Sequence, residues 1–271
     1  IGVRLVGSEM CIRDSNRNKV LELGGEEYKE MAEGDGHLKT GSVRRLIVGE
    51  PIGVFYGYRF DGIFQNEEEC KQQTSSASPI GVGLRRYKDL NGDGKVDAAN
   101  DREILGDANP KFFGGLTNTF AYKGFELNVF LQYSYGNKIL NYNAMELENP
   151  TGGQNAYADM VNRWTPENPS NIYPKATTNR ALLVSDRFIE DGSYLKLKTL
   201  SLSYSFPKIN LKHIQGLRLY VTGQNLLTWT KYRGYDPEVS YRGASTLEAG
   251  EDFGGYPQSR TFMFGIKLDI K

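Results

Sequence analysis

The sequence predicts an all-β protein, and its pattern favours part of the wall of a transmembrane antiparallel β-barrel with long loops. Three observations predict this fold class. Apolar and polar residues alternate over segments of about ten residues, which suits strands that cross a membrane. Short and long connections follow one another along the chain. The 271 residues also include 31 Gly, 17 Tyr and 13 Phe, a composition typical of strands and turns.

Charge and hydropathy exclude several other classes of protein. The 33 Lys and Arg residues balance the 33 Asp and Glu residues, so the chain lacks the basic excess of a nucleic-acid binder. The mean hydropathy is −0.51, and no apolar run approaches the roughly 18 residues of a transmembrane helix. Two Cys and two His leave little material for disulfides or for metal sites built on these residues.

Six segments are candidate strands, because apolar and polar side chains alternate along them or because they are rich in Gly and aromatic residues. In chain order they are 54–60, 112–122, 125–135, 193–206, 217–222 and 262–270. Alternation is clearest in 125–135, where only Phe130 falls on the wrong face. In 193–206 the apolar phase slips between Leu197 and Leu200, which predicts a β-bulge.

The connections between these strands alternate in length. The links at Lys123–Gly124 and at 207–216 are short, whereas 61–111, 137–192 and 230–258 are long and polar. Compact soluble domains rarely have several long irregular loops, whereas outer-membrane barrels combine short periplasmic turns with long extracellular loops. Aromatic residues near strand ends suit interfacial girdles: Tyr56, Tyr58, Tyr122, Tyr133, Tyr135, Tyr204, Phe206 and Trp229. A soluble β-sandwich, whose strands also alternate, remains an alternative on the pattern alone.

One acidic segment has the pattern of a cation site. Oxygen ligands recur at the spacing of an EF-hand-like calcium loop at Asp89, Asn91, Asp93, Lys95 (through its carbonyl), Asp97 and, one residue late, Asp101. Ca²⁺ takes roughly six to eight oxygen ligands, and Gly94 permits the sharp turn that lets them converge. The segment predicts either a Ca²⁺ site or an Asx-rich turn that needs no ion.

Evidence for catalysis is missing, and evidence for ligand binding is confined to aromatic residues. No Gly-Xaa-Ser-Xaa-Gly, P-loop or His-Glu-Xaa-Xaa-His motif occurs, so we expect no enzyme. Aromatic faces stack on sugar rings, which makes four residues candidate substrate-binding residues: Trp229, Tyr232, Tyr235 and Tyr241. The same four side chains suit a girdle or the packing of one loop on another equally well.

The beginning of the chain differs in character from the rest. Residues 5–15 resemble the conceptual translation of a transposase sequencing adapter. We therefore interpret 1–15 as an adapter-derived artefact and 16–271 as the protein's own sequence, with its N-terminal part missing. On this interpretation Cys70 is the only native cysteine, and no intramolecular disulfide is expected. The alternative is a native, irregular N-terminus.

Seven stretches of 16–271 carry a family resemblance and occur in the family's order. They are 16–23, 49–64, 89–110, 113–120, 163–169, 194–200 and 223–230. The most recognisable is Gly-Glu-Pro-Ile-Gly-Val-Phe-Tyr-Gly-Tyr-Arg-Phe-Asp-Gly-Ile-Phe at 49–64. Together they resemble the SusC/RagA-type TonB-dependent transporters of the Gram-negative outer membrane.

This resemblance implies a fold, an activity and partners. The chain corresponds to the C-terminal portion, about six strands, of a plugged barrel of about 22 strands in outer-membrane lipid. The complete protein imports nutrient oligomers, most often glycans and sometimes peptides. TonB–ExbB–ExbD acts through an N-terminal plug, and a SusD-like surface lipoprotein closes over the loops. The alternatives are a secreted, calcium-stabilised carbohydrate-binding β-sandwich and a siderophore receptor of the wider TonB-dependent class.

Overall fold

A computed structural model describes residues 6–31, 41–149, 155–178, 183–206, 214–241 and 247–270. In chain order its strands are β1 (Val6–Ser15), β2 (Tyr28–Glu30), β3 (Arg44–Ile47), β4 (Val54–Tyr58), β5 (Phe60–Ile63), β6 (Thr74–Ser75), β7 (Arg85–Tyr87), β8 (Lys95–Val96), β9 (Arg102–Gly106), β10 (Phe112–Tyr122), β11 (Phe125–Tyr135), β12 (Lys138–Asn141), β13 (Ile189–Asp191), β14 (Tyr194–Ser205), β15 (Ile214–Thr230), β16 (Glu251–Asp252) and β17 (Thr261–Ile270). The helices are α1 (Glu67–Gln72) and α2 (Tyr142–Leu147), with short 3₁₀ helices at Ala158–Asn162 and Asp186–Phe188. Within these ranges, every helix is too short or too polar to cross a membrane.

The long strands form one antiparallel sheet, in the order β1-β10-β11-β14-β15-β17, which we call the wall. A two-residue turn joins β10 to β11, and both Lys123 (φ 46°) and Gly124 (φ 86°) have the left-handed backbone that such a tight hairpin requires. Three long connections leave the opposite end of the wall, namely loop 1 (16–111), loop 2 (136–193) and loop 3 (231–260). The tight turn at Lys123–Gly124 and the three long connections predicted from the sequence are therefore present. The predicted short link at 207–216 lies mostly outside the described residues.

The wall has one apolar and one polar face. Directly paired residues share a face, so the register places Leu127, Leu202 and Val221 together on the apolar side. Asn128, Ser201 and Thr222 lie together on the polar side. The apolar side chains of β17 are exposed: Phe264 is 83% and Ile266 is 69% accessible. Among the described residues no second sheet covers this face, so the β-sandwich alternative is wrong.

The wall strands depart locally from strict alternation, at a bulge and at two aromatic residues that turn to the polar face. The predicted bulge in β14 is present, because the register slips past Lys198. Phe130 turns to the polar face because Gly115 leaves room for its ring; a Cβ on Gly115 would lie 2.7 Å from Phe130 Cε2. Tyr220 covers Gly265 in the same way on the neighbouring strands. An aromatic ring thus replaces a missing side chain at both positions.

One predicted wall strand is wrong. Segment 54–60 divides into β4 and the start of β5, which lie in two small sheets of loop 1. These strands alternate as wall strands do, but their partners are other parts of the same loop: β4 pairs with β3 and β9, and β5 pairs with β7. Alternation identifies a strand and not its neighbours.

The sixth wall strand is instead β1, from the segment interpreted as adapter-derived. Its side chains are out of phase with the other strands. Glu9 and Arg13 lie on the apolar face, opposite Asn118 and Gly114, whereas Ile12 lies on the polar face opposite Gly115. Strand β1 is therefore joined to β10 by backbone hydrogen bonds without the side-chain match that the other five strands have.

The buried hydrophobic core lies in the loops. Its members come from loops 1 and 2: Val43, Phe55, Ala108, Leu140, Tyr142, Ala144, Met145, Val184 and Phe188. Ala249 and Phe253 of loop 3 pack against it. Helix α2 begins where the Asn141 side chain accepts a hydrogen bond from the Ala144 N–H, and it buries its apolar side in this core. We call the body formed by the three loops the cap.

Candidate functional site

A buried cluster of charges attaches loop 3 to the polar face of the wall. Strand β14 places Lys196 opposite Gln132 of β11 and Thr228 of β15. Lys196 Nζ donates to Asp236 Oδ1 at 2.6 Å and to Glu238 Oε2 at 2.5 Å. The Lys196 side chain is 2% exposed. A buried ammonium without a partner costs several kcal/mol, so these two carboxylates determine where loop 3 lies.

Neighbouring side chains complete this cluster. Lys198 Nζ donates to Glu238 Oε2 at 2.8 Å, and the Tyr194 hydroxyl donates to Glu238 Oε1 at 3.0 Å. Burial alone raises the pKa of Asp236 and of Glu238. The hydrogen bonds from Lys196, and for Glu238 also from Lys198, outweigh burial and hold the pKa of both carboxyls below the ordinary value. Both groups are therefore ionised at neutral pH and remain bound to the wall.

A second buried ion pair joins loop 1 to loop 3. Arg44 Nε donates to Glu251 Oε1 at 2.8 Å, and both side chains are 2% exposed. The same guanidinium donates to the carbonyl oxygens of Gly53 and Ala249. Its Cζ lies 4.2 Å from the centre of the Phe55 ring, inside the hydrophobic core. The cation is thus supplied with acceptors on two loops at once.

A third buried group joins loop 2 to loop 3. The Glu148 carboxylate has no exposed surface and accepts from Arg187 and Arg233, each at 3.0 Å. Arg233 also lies 2.8 Å from Glu190. Strands β12 and β16 add a parallel pairing between the same two loops. The cap is therefore one body held by charges that cross from loop to loop.

The predicted calcium segment forms a series of Asx turns. Asp89 accepts the N–H groups of Gly92 and Gly94, both at 2.7 Å. The other acceptor side chains behave alike: Asn91 accepts from Asp93, Asp93 from Lys95, Asp97 from Ala99 and Asn100, and Asp101 from Leu90 and Asp97. Bonding to the Asn100 N–H holds the pKa of Asp97 below its usual range.

These side chains thus face backbone N–H groups and not one common centre. In the described ranges, no three His, Cys, Asp or Glu side chains are placed to hold a metal ion. Lys95 Nζ lies 3.2 Å from Asp97 Oδ2. The turn alternative accounts for this geometry without an ion, and the calcium site stays a prediction.

The four candidate substrate-binding aromatics do not form one surface. Trp229 is paired with Leu195 on the apolar face of the wall and is half exposed, which is the position of a girdle residue. Tyr232 is 5% exposed, and its hydroxyl donates to Asp252 Oδ2 at 2.5 Å. Its ring has little exposed surface for stacking in this structure, and a substrate-binding role for Tyr232 stays a prediction.

The remaining two candidates expose aromatic surface on loop 3. Tyr235 is 81% exposed, and Tyr241 is 44% exposed with its ring 5.4 Å from that of Phe253. Sequence reasoning missed Tyr256, which is 93% exposed on the same loop. Its position after Gly254 and Gly255, in a polar stretch, is the signal that could have found it.

The sequence of this chain is similar to those of several known proteins. No family model matches. TonB-dependent receptor P3 of Formosa agariphila is 38% identical over 259 residues, which cover 93% of this chain and 26% of that protein. TonB-dependent receptor P26 of the same organism is 34% identical, over 94% of this chain and 26% of that protein. The chain is a homologue of the TonB-dependent receptors.

Two further similarities point to the SusC/RagA type. SusC of Bacteroides thetaiotaomicron, named as a TonB-dependent receptor, is 26% identical over 94% of this chain and 23% of that protein. A solved structure of the RagAB peptide transporter superposes with a TM-score of 0.75, at 22% identity, over 97% of this chain and 27% of that chain. These findings confirm the predicted family resemblance and fold class. The chain spans about a quarter of the relatives it matches.

Proposed function

We propose that the protein to which this chain belongs imports nutrient oligomers across the outer membrane of a Gram-negative bacterium by TonB-dependent transport. The observation that carries this proposal is the wall itself, apolar on one face and polar on the other, in a chain homologous to TonB-dependent receptors. Lipid suits the open side chains of Phe264 and Ile266, and a water-filled lumen suits the other face. Transport is a property of the whole receptor, to which this chain contributes part of the wall and three of the loops.

Glycan oligomers are the cargo that we propose. The support is the exposed aromatic surface of Tyr235, Tyr241 and Tyr256 on loop 3, because flat aromatic faces offer large contact area to sugar rings. The RagAB structures are those of a peptide transporter, but at 22% identity they carry the fold and not the cargo. Peptides are the competing cargo.

The partners that we propose follow from the SusC/RagA resemblance. A SusD-like surface lipoprotein closes over the cap, and TonB–ExbB–ExbD acts through an N-terminal plug. The charges that cross between the loops support the first partner, because they give a lid one preformed surface to meet. Residues outside this chain carry the coupling to TonB.

Two proposals concern segments of this chain. We propose that 89–101 binds Ca²⁺, on the ligand spacing of its sequence. We also propose that 1–15 is foreign and that 16–271 is the part of this chain that belongs to the receptor barrel. The reversed phase of β1, with Glu9 and Arg13 on the apolar face, supports the second proposal, because charges on a lipid face cost up to about 2–4 kcal/mol for Arg at mid-membrane and less for Glu.

Uptake by intact cells tests the function. A strain that lacks the receptor gene is given fluorescent glycan oligomers or peptides as nutrients, with the restored gene and a tonB deletion as controls. We expect loss of glycan uptake in both deletion strains and recovery on restoration. Loss of peptide uptake alone would reassign the cargo, and unchanged uptake of both in the receptor deletion would reject the proposal.

A further inference from the structure

The interior of the cap contains hydrogen-bond donors that have no acceptor. Arg85 Nε, the Tyr87 hydroxyl and the Ser185 hydroxyl are enclosed and lack a partner in the described part of the chain. The three residues are 6%, 2% and 0% exposed. Buried polar groups are almost always paired, so unpaired donors on neighbouring elements indicate an acceptor that the described residues do not supply.

Contacts place the residues that carry these donors around the segment 183–188. Arg85 and Tyr87 are two residues apart on β7, and the Arg85 Cζ lies 5.4 Å from the centre of the Phe188 ring. The Tyr87 ring lies 5.7 Å from the Tyr58 ring. The backbone of Tyr58 in turn pairs with that of Ser185. The region is therefore bounded by strands of loop 1 and by the end of loop 2.

The charge of Arg85 is not balanced by a bound carboxylate. Its guanidinium donates to the carbonyl oxygen of Glu148 at 3.0 Å, a neutral acceptor. The Glu148 carboxylate is bound to Arg187 and Arg233, and Asp186 is bound to Arg59 and to the Phe60 N–H. Burial is the main cause that lowers the pKa of the Arg85 guanidinium; the nearby Glu148 carboxylate opposes this shift, and the cation of Arg187 adds to it.

The hydroxyl groups are suited to donate rather than to accept. Burial raises the pKa of Tyr87 to about 12, so its hydroxyl keeps its proton at neutral pH. A serine hydroxyl rotates to point its proton at whatever acceptor is present. One guanidinium and two hydroxyls form a donor set for a small spherical acceptor that carries negative charge.

We propose that Arg85, Tyr87 and Ser185 bind a small inorganic anion, chloride under ordinary conditions, inside the cap. The anion pairs the buried cation of Arg85 and links β7 of loop 1 to the 183–188 segment of loop 2. It is a structural ligand, and its role does not depend on which nutrient the receptor imports. Binding stabilises the folded cap by mass action, so protection of the cap depends on the concentration of chloride.

Hydrogen exchange of the full-length receptor in detergent tests this proposal. Sodium chloride is compared with sodium gluconate at equal ionic strength, and amides of β5, β7 and 183–188 are followed. At ten times the dissociation constant of chloride we expect these amides to exchange roughly tenfold more slowly than in gluconate. Sodium bromide then replaces chloride in crystals, and an anomalous peak is expected beside Arg85 Nε.

Two variants and a matched control make the test specific. Arg85→Met should abolish the difference in exchange rate between chloride and gluconate. Tyr87→Phe removes one hydroxyl and keeps the ring, and it should reduce this difference. It provides the test should Arg85→Met fail to fold. Arg86→Met is the control, because Arg86 is the next residue on β7 but its half-buried guanidinium binds the Glu69 carboxylate and the carbonyl oxygen of Asp61. Equal exchange in both salts, a water in place of bromide, or a chloride effect that survives in Tyr87→Phe and Arg85→Met alike would overturn the proposal.

Discussion

Removing the Lys196 ammonium should release loop 3 from the wall. In Lys196→Met the hydrocarbon part of the side chain is kept, while Asp236 and Glu238 lose their buried cation. Removing one partner of a buried pair costs about 3–5 kcal/mol. Glu238 keeps Lys198 at 2.8 Å, and Asp236 keeps the Glu238 N–H at 2.9 Å, so we expect the lower end, about 3 kcal/mol.

The assay is hydrogen exchange of the full-length receptor in detergent, read on peptides from loop 3. At roughly 1.4 kcal/mol for each factor of ten, exchange of loop 3 amides should rise about 100-fold in Lys196→Met. Peptides of β11 and β14 should change little, because the backbone pairing of the wall is untouched. The change is therefore local opening and not unfolding of the barrel.

Lys198→Met is the matched control. Lys198 contacts the same carboxylate, but its side chain is 18% exposed against 2% for Lys196. This partly buried pair is more open to water than that of Lys196, so we expect it to contribute about 1 kcal/mol, which predicts a rise of roughly fivefold. Equal effects of the two substitutions, or an effect of Lys196→Met spread evenly over wall and loops, would refute the assignment of Lys196 as the anchor of loop 3.

Three further predictions follow from the cap. The pKa values of Asp236 and Glu238 are lowered in the folded state, so their stabilisation is complete above the ordinary carboxyl pKa of about 4 and is lost as pH falls through the lowered values. Loop 3 exchange, corrected for its intrinsic rate, should therefore rise below about pH 4 in the wild type. The rise should be smaller in Lys196→Met, where Lys198 and backbone N–H groups still bind the two carboxylates. If 89–101 holds Ca²⁺, then millimolar calcium should slow proteolysis of loop 1, and EDTA should reverse this protection. Proteolysis of Asp89→Asn should not respond to calcium, whereas Glu68→Gln, at an exposed position of α1, should behave as wild type. Proteolysis unchanged by EDTA, together with no calcium uptake, would show that the segment is an Asx-rich turn without an ion. Tyr235→Ala and Tyr256→Ala should each weaken glycan binding several-fold in titration calorimetry. Tyr232→Phe should leave glycan binding unchanged and should lower the stability of loop 3 by about 1–2 kcal/mol, because the hydrogen bond to Asp252 is lost. Unaltered binding in both alanine variants would contradict the proposed stacking surface.

The sequence predicts the wall well because each wall strand carries its own evidence. Alternation in 125–135 and 262–270 marks the two faces without knowledge of any partner. It fails for 54–60, because a strand of a small loop sheet alternates in the same way. It also fails to explain Phe130, since the space for that ring is created by Gly115 on the next strand. The sequence of a strand therefore predicts which of its side chains share a face, but not which strand lies beside it.

The site was less predictable because its residues meet across long stretches of chain. Lys196 and Asp236 are 40 positions apart, and Glu148 and Arg233 are 85 apart. Nothing in a single sequence pairs a lysine of one strand with an acid of a later loop. Tyr232 and Tyr235 differ by only three positions, yet the first is buried against Asp252 and the second is open. Residue type suggested their chemistry, and packing decided their availability.

The charges that cross between the loops limit how this receptor can be re-engineered. A single loop taken from a relative brings only one partner of each ion pair. A foreign loop 3 that lacks the equivalent of Arg233 leaves the buried Glu148 with Arg187 alone. One that lacks the equivalent of Glu251 leaves the buried Arg44 without its carboxylate. Chimeras that exchange one loop should therefore express poorly, while those that exchange all three together should assemble. Recombination between relatives is expected to transfer the loops as a set, with free variation confined to exposed positions such as Tyr235 and Tyr256.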